Sequence, residues 1–137
     1  MTPESKVRTP VVEWAKVNGI EHIRLALMRG VKRGTPDDLF LISWRVRKGS
    51  PARAVFIEFK RPGKKPTRLQ YERLSQLQNR GFFAEWFDNA DDAISYLAWC
   101  ADVGTASLSA KGGGFLIPTP RRGASAETRR AKNVDHA

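Results

Sequence analysis

Three runs of strand-forming residues follow one another in the first half of the chain, with no helical pattern between them. The runs are HIRLALM at 22–28, DLFLISWRV at 38–46 and ARAVFIEFK at 52–60, and the Gly, Lys and Pro clusters between them indicate turns. The second and third runs are close enough in sequence to form a hairpin through RKGSP. These two runs are therefore expected to be neighbouring strands of one sheet.

A helix is predicted before the first run. Residues 11–18 have apolar positions at helical spacing, end at Gly19 and follow Pro10, which suits the first turn of a helix. An extension of this helix back towards Glu4 is compatible with the sequence, but it would have to pass through Pro10.

After the third run the pattern changes to that of a helix. TRLQYERLSQLQNRG predicts a helix capped by Thr67 and ended by Gly81. A short strand at 82–87 and a last helix over 89–102 complete the order α-β-β-β-α-β-α. The predicted fold class is therefore α/β, with a mixed sheet flanked by helices.

Length and composition predict one domain with a basic extension. A chain of 137 residues suits a single core, which we place in residues 1–103. Residues 104–137 are mostly small, polar or basic, and are expected to form a flexible tail because they can bury little surface.

The charge balance favours an anionic partner. The net charge is +10, and 14 basic residues face 4 acidic ones between Arg24 and Arg73. Such a surplus is typical of nucleic-acid binding. A membrane partner is not expected, since no stretch approaches the ~18 consecutive apolar residues of a spanning helix.

A cytoplasmic location is expected, either in a bacterium or, if a phage encodes the protein, in the host. The first ten residues lack the apolar centre of a secretory signal. The chain also has a single cysteine, Cys100, which cannot form an internal disulfide bond.

The third run carries an acid and a base on one face. Glu58 and Lys60 lie two positions apart, so their side chains project from the same side of a strand. A surface ion pair worth under about 1 kcal/mol would be the ordinary interpretation. However, a turn of sequence Gly34-Thr35-Pro36 places Asp37 at the start of the second run. Hairpin pairing between the second and third runs can then bring Asp37 close to Glu58. Two converging carboxylates suit Mg²⁺ or Mn²⁺, and Lys60 beside them suits phosphodiester hydrolysis.

These residues resemble a known nuclease family. Gly34-x-Pro36-Asp37, then Ile57-Glu58-Phe59-Lys60, then Gln70 on the next helix, with a Glu near the amino terminus, is similar to the VRR-NUC branch of the PD-(D/E)xK nuclease superfamily. The resemblance covers residues 4–87. It implies a restriction-endonuclease-like fold, and a homodimeric, structure-selective endonuclease that acts on branched DNA. By the same resemblance Glu4, Asp37 and Glu58 hold the metal, Lys60 is catalytic and Gln70 lies near the site.

Two of these assignments have alternatives. Asp38 follows Asp37 directly, and a shift of one residue would exchange their faces. Asp37 is favoured because it follows the Gly-x-Pro. Glu13 competes with Glu4, and the spacing back from Gly19 favours Glu4.

Exposed cations on both sides of the acidic motifs are candidate DNA contacts. They are Arg29, Lys32, Arg33, Arg61, Lys64, Lys65 and Arg68. A solvated charge run is the simpler interpretation, but cations beside a nuclease site add sequence-independent affinity for phosphates. The alternative function is a non-catalytic basic nucleic-acid-binding protein on the same fold.

Overall fold

A computed structural model describes residues 1–44, 46, 48–49 and 51–109 of the chain. Its helices are α1 (Pro3–Val17), α2 (Arg68–Asn79) and α3 (Ala90–Ser109), with a short 3-10 helix at Leu25–Leu27, and its strands are β1 (Glu21–Arg24), β2 (Asp38–Ile42), β3 (Arg53–Phe59) and β4 (Phe83–Phe87). The predicted order of helices and strands is confirmed.

The four strands form one mixed sheet in the order β1-β2-β3-β4. β1 pairs with β2, and β2 with β3, in antiparallel fashion, while β3 and β4 are parallel and are connected through α2. The predicted hairpin between β2 and β3 is present. β3 therefore lies inside the sheet, with a hydrogen-bonded strand on each side, and its charged residues are not on a solvated edge.

Helices cover both faces of this sheet. α1 and α3 pack on one face against alternate strand residues such as Val55, Ile57 and Phe59. α2 packs on the other face, where its buried Leu74 meets Trp86 of β4. Because strand side chains alternate between faces, each charged strand residue belongs to one of the two layers.

The first helix is longer than the apolar pattern alone predicts. Thr2 caps α1 by accepting a hydrogen bond from the Ser5 N–H, Pro3 occupies the first turn, and the helix continues through the exposed Pro10. Val11 and Ala15 are buried, and Glu4 lies seven and eleven residues before them on the same helix face. The extension back to Glu4 is thus present.

The last helix is also longer than predicted. α3 ends at Ser109, so the predicted domain boundary between 103 and 104 falls inside a helix. Residues 110–137 of the predicted tail lie outside the described part of the chain. Among the described residues, no helix combines the length and apolar character needed to cross a bilayer.

Candidate metal centre

The hairpin brings two acids together at one end of its ladder. Asp38 of β2 is paired with Ile57 of β3. In an antiparallel register the next two residues, Asp37 and Glu58, therefore lie opposite each other on the face covered by α2. Glu58 is buried, with 1% of its surface exposed, whereas Asp37 remains accessible from solvent.

The amino-terminal turn of α1 adds a third acid. Glu4, Asp37 and Glu58 each offer one carboxylate oxygen, and these three oxygens lie within 4.8 Å of one another. The three predicted metal ligands are thus one cluster, assembled from a helix, a turn and a strand.

Neither alternative acid belongs to this cluster. Glu13 is exposed on α1, and Asp38 points to the opposite face of the sheet, where it is fully buried. The difference between Asp37 and Asp38 follows from side-chain alternation, since Asp38 shares its face with the buried Phe40 and Ile42.

A buried arginine lies behind the acids. The Arg8 guanidinium donates to Asp38 over 3.0 Å and to Glu4 over 3.3 Å, and it lies 3.7 Å from the Asp37 carboxylate. Arg8 also stacks over the Phe59 ring. Sequence reasoning missed this residue, although its position four residues after Glu4 on an apolar helix face was the available signal.

Asp38 joins three elements beneath the cluster. It accepts a hydrogen bond from Arg8 Nε and lies 2.6 Å from His22 Nε2 and 3.5 Å from Arg24 Nε. This network ties α1 to β1 and β2 and so fixes Glu4 relative to Asp37.

Glu58 is the most buried of the three acids, and it forms an ion pair with Lys60. Both of its carboxylate oxygens are buried without a donor, and the Lys60 Nζ lies 3.8 Å from Oε2, beyond hydrogen-bond distance. Burial, followed by the negative charge of Asp37, raises the pKa of Glu58 from 4.5 to about 9. A protonated Glu58 can donate to Asp37, so the site favours either a proton or a cation at this position.

Lys60 directly follows β3 and stays on the Glu58 face. Its backbone N–H donates to the Phe87 carbonyl over 2.8 Å, which extends the pairing with β4, and its side chain is 11% exposed. The predicted proximity of Lys60 to the acids is confirmed, and its ammonium is held in a largely buried position.

Gln70 forms a capping box with Thr67 at the start of α2. Its side-chain oxygen accepts from the Thr67 N–H over 2.9 Å, and the Thr67 hydroxyl accepts from the Gln70 N–H. None of its described contacts is with the three acids. A role for Gln70 in catalysis stays a prediction.

The predicted DNA-contacting cations are all exposed. They are Arg29, Lys32, Arg33, Arg61, Lys64, Lys65 and Arg68. The first three lie in the loop that leads into Asp37, and the other four follow Lys60. Close packing between Gly34 and Leu69 joins these two segments, so both flank the acidic cluster. Arg68 also pairs with Glu72 over 3.2 Å.

Comparison with known proteins gives no relative. No family model, curated protein or solved structure matches the chain. The motifs and the geometry of the site are therefore the features of this chain that indicate its function.

Proposed function

We propose that this protein is a Mg²⁺- or Mn²⁺-dependent DNA endonuclease of the VRR-NUC type, on a restriction-endonuclease-like fold. The observation that carries the proposal is Glu58, a buried carboxylate that accepts no hydrogen bond from any described residue and lies beside Asp37 and Glu4. A buried acid in this state is costly unless a proton or a cation compensates it.

The donor set suits a hard divalent cation. Glu4, Asp37 and Glu58 offer only carboxylate oxygens, which Mg²⁺ and Mn²⁺ prefer, and no Cys or His belongs to the cluster. Three protein ligands on one side of an ion leave room for water and a phosphate oxygen. When bound, the ion supplies Lewis-acid activation of the phosphate ester and of the attacking water.

The remaining residues suit phosphodiester hydrolysis. The Lys60 ammonium, held beside Glu58, can orient the attacking water and offset negative charge as it develops on the phosphate. The exposed cations before Asp37 and after Lys60 can bind the phosphate backbone on both sides of the scissile bond.

Branched DNA bound by a homodimer is the substrate that the family resemblance implies. Two symmetry-related sites on one junction would allow paired cuts, and a single small domain covers little of such a substrate. In this proposal the protein works where it meets DNA, in the cytoplasm of a bacterium or of a phage host.

One observation favours a binding-only protein instead. Arg8 forms ion pairs with Glu4, Asp37 and Asp38, so these three acids have a structural explanation that does not need a metal. Arg8 does not reach Glu58, which forms an ion pair with Lys60 at 3.8 Å but accepts no hydrogen bond from the described residues. Whether Glu58 binds a metal ion therefore distinguishes the nuclease from the binding-only protein.

Cleavage and metal binding test the proposal together. Wild-type protein should cut a labelled four-way junction with Mg²⁺ or Mn²⁺ and not with EDTA. Calorimetric titration of the DNA-free protein with Mn²⁺ should show a saturable site that Glu58→Gln removes. If the protein binds the junction but shows neither cleavage nor saturable Mn²⁺ binding, the binding-only alternative is correct.

A further inference from the structure

The loop between β1 and β2 exposes apolar side chains among cations. Leu27, Met28 and Val31 are 77%, 54% and 38% exposed, and they alternate with Arg29 and Lys32. Single exposed apolar residues are ordinary on protein surfaces, but three of them within five positions of one loop are not. No acidic residue occurs between Glu21 and Asp37. The loop is therefore both apolar and strongly cationic.

Both ends of this loop are held by contacts with the start of β2 or of α2. The Ala26 N–H donates to the Asp37 carbonyl over 3.2 Å, and Arg24, which precedes the loop, lies 3.5 Å from the Asp38 carboxylate. Gly34 packs against Leu69 at the start of α2. The base of this loop therefore adjoins Asp37 of the candidate metal centre.

The tip of the loop projects from this base. A Cβ added at Gly30 would meet no atom within 4 Å, and the neighbouring Met28 and Arg29 are exposed. The Thr35 N–H donates to the Lys32 carbonyl over 3.1 Å and so closes a turn after the tip. The loop thus exposes apolar side chains, while hydrogen bonds hold its base in place.

We infer that residues 25–36 form a DNA-opening wedge, in which Leu27 and Met28 insert into a base step while Arg29, Lys32 and Arg33 bind the adjoining phosphates. Leu and Met are among the apolar side chains that unstack bases when cations hold the backbone nearby. This inference rests on the proposed function and specifies how the substrate is selected.

A wedge of this kind discriminates by the cost of opening the DNA. Unstacking a base step costs more free energy in a continuous duplex than where bases are already unpaired or where the helix bends easily. The loop would therefore give a preference for branch points without reading a base sequence. The cations add affinity to every DNA equally.

Charge argues against a second copy of the chain as the partner of this loop. In a symmetric dimer built on the loop, the same cations would face one another across the interface, with no acid in the loop to pair with them. DNA supplies the complementary charge and, between its bases, an apolar surface.

The test uses full-length protein in EDTA, so that binding is measured without cleavage. A four-way junction carries 2-aminopurine beside its branch point, and a continuous duplex carries the same base in the same sequence. The wedge variant is Leu27→Ala with Met28→Ala. The matched control is Val17→Ala, which removes an 85% exposed apolar side chain from the end of α1.

Wild type and V17A should raise the 2-aminopurine fluorescence of the junction and bind it more tightly than the duplex. The wedge variant should lose the fluorescence change and weaken junction binding about tenfold, because the apolar contacts that compensate base unstacking are removed. Its affinity for the duplex should stay near that of wild type. An unchanged junction preference in the wedge variant would overturn the inference.

Two further outcomes separate this inference from others. If the wedge variant loses a dimer seen for wild type by light scattering without DNA, the loop is a protein interface and the inference is wrong. If wild-type protein opens the junction but never cleaves it with Mg²⁺ or Mn²⁺, the nuclease proposal fails while the wedge stands.

Discussion

At the scale of single residues, Glu58 is the side chain whose charge state matters most. In the unfolded chain its pKa returns to the ordinary value of 4.5, while in the folded protein it is raised to about 9 by burial and by Asp37. Its contribution to folding is therefore complete below pH 4.5 and is lost as the pH rises towards 9. A bound cation would reverse this loss by compensating the charge.

We predict that Glu58→Gln stabilises the metal-free protein in a pH-dependent way. In EDTA the melting temperatures of wild type and E58Q should be close near pH 5, and at pH 8 E58Q should melt about 5 °C higher or more, since about 1 kcal/mol shifts a domain of this size by ~4–8 °C. Mn²⁺ should raise the melting temperature of wild type only. If calorimetry finds the same difference in melting temperature between wild type and E58Q at every pH, Glu58 is not a buried, titrating acid.

Arg8 offers a second prediction at this scale. Arg8 is buried and pairs both with the partly exposed Glu4, four residues away on its helix, and with the fully buried Asp38, whereas Arg68 forms an exposed pair with Glu72 at the same helical spacing. Removal of Arg8 leaves carboxylates beside it uncompensated, so Arg8→Ala should destabilise the protein by about 3 kcal/mol. Arg68→Ala should cost less than about 0.5 kcal/mol. Urea unfolding that gives equal losses for both variants would contradict the buried network.

At the scale of elements, Gly34 explains part of the Gly-x-Pro-Asp motif. Its φ is +85°, and a Cβ at this position would lie 2.8 Å from Leu69 Cγ and 3.2 Å from the Leu69 carbonyl oxygen. Glycine is therefore needed both for the backbone conformation and for close packing of the loop on α2.

Gly30 provides a matched control for this argument. Its φ of +79° carries the same backbone cost, but no atom lies within 4 Å of an added Cβ. Gly30→Ala should cost about 1 kcal/mol from the left-handed backbone alone. Gly34→Ala should cost about 1–3 kcal/mol more, because Leu69 and the start of α2 have to move. Thermal unfolding that gives similar losses for both variants would show that the packing adds nothing.

The elements also show what a sequence can predict. Glu58 and Lys60 share a face because strand residues alternate, and this local rule predicted their proximity correctly. The same rule separates Asp37 from Asp38 once the pairing of β2 with β3 is known. Helix ends were less accurate: α3 continues to Ser109, since nothing in its local pattern marks a stop at 102.

The missed contacts of Asp38 join distant parts of the chain. Arg8 and Asp38 are 30 positions apart, and His22 and Asp38 are 16 apart, so no periodic pattern connects them. Gln70 was assigned to the site from the resemblance, and the structure adds a local role as the cap of α2. Local patterns predicted the elements and the main acids, whereas the supporting ion-pair network required the folded structure.

At the scale of the whole molecule, the position of a cation should decide its effect on DNA binding. Lys64 lies in the segment after Lys60, whereas Arg80 is an equally exposed cation at the far end of α2. α2 is roughly 18 Å long, so Arg80 lies about that far from the start of the helix. Lys64→Ala should weaken binding and reduce the slope of log K against log salt by about one, whereas Arg80→Ala should change neither.

Titrations of duplex DNA at several salt concentrations measure both quantities. Equal effects of the two variants would show that the DNA contacts the charged surface without a defined site, which would contradict a groove centred on the acidic cluster.

We propose that Glu58 binds a metal ion and that Lys60 assists the hydrolysis of DNA at this ion. Cleavage of a labelled four-way junction tests this proposal most directly. Wild-type protein, E58Q, Lys60→Ala and the control Glu13→Gln are compared with Mg²⁺, with Mn²⁺ and with EDTA. Glu13 is an exposed acid on α1 outside the cluster, so E13Q should cut like wild type. E58Q and K60A should not cut, while E58Q in EDTA should bind the junction at least as tightly as wild type because an anion has left the phosphate-binding surface. Full cleavage by purified E58Q or K60A, or cleavage by wild type in EDTA, would contradict the assignment of this site.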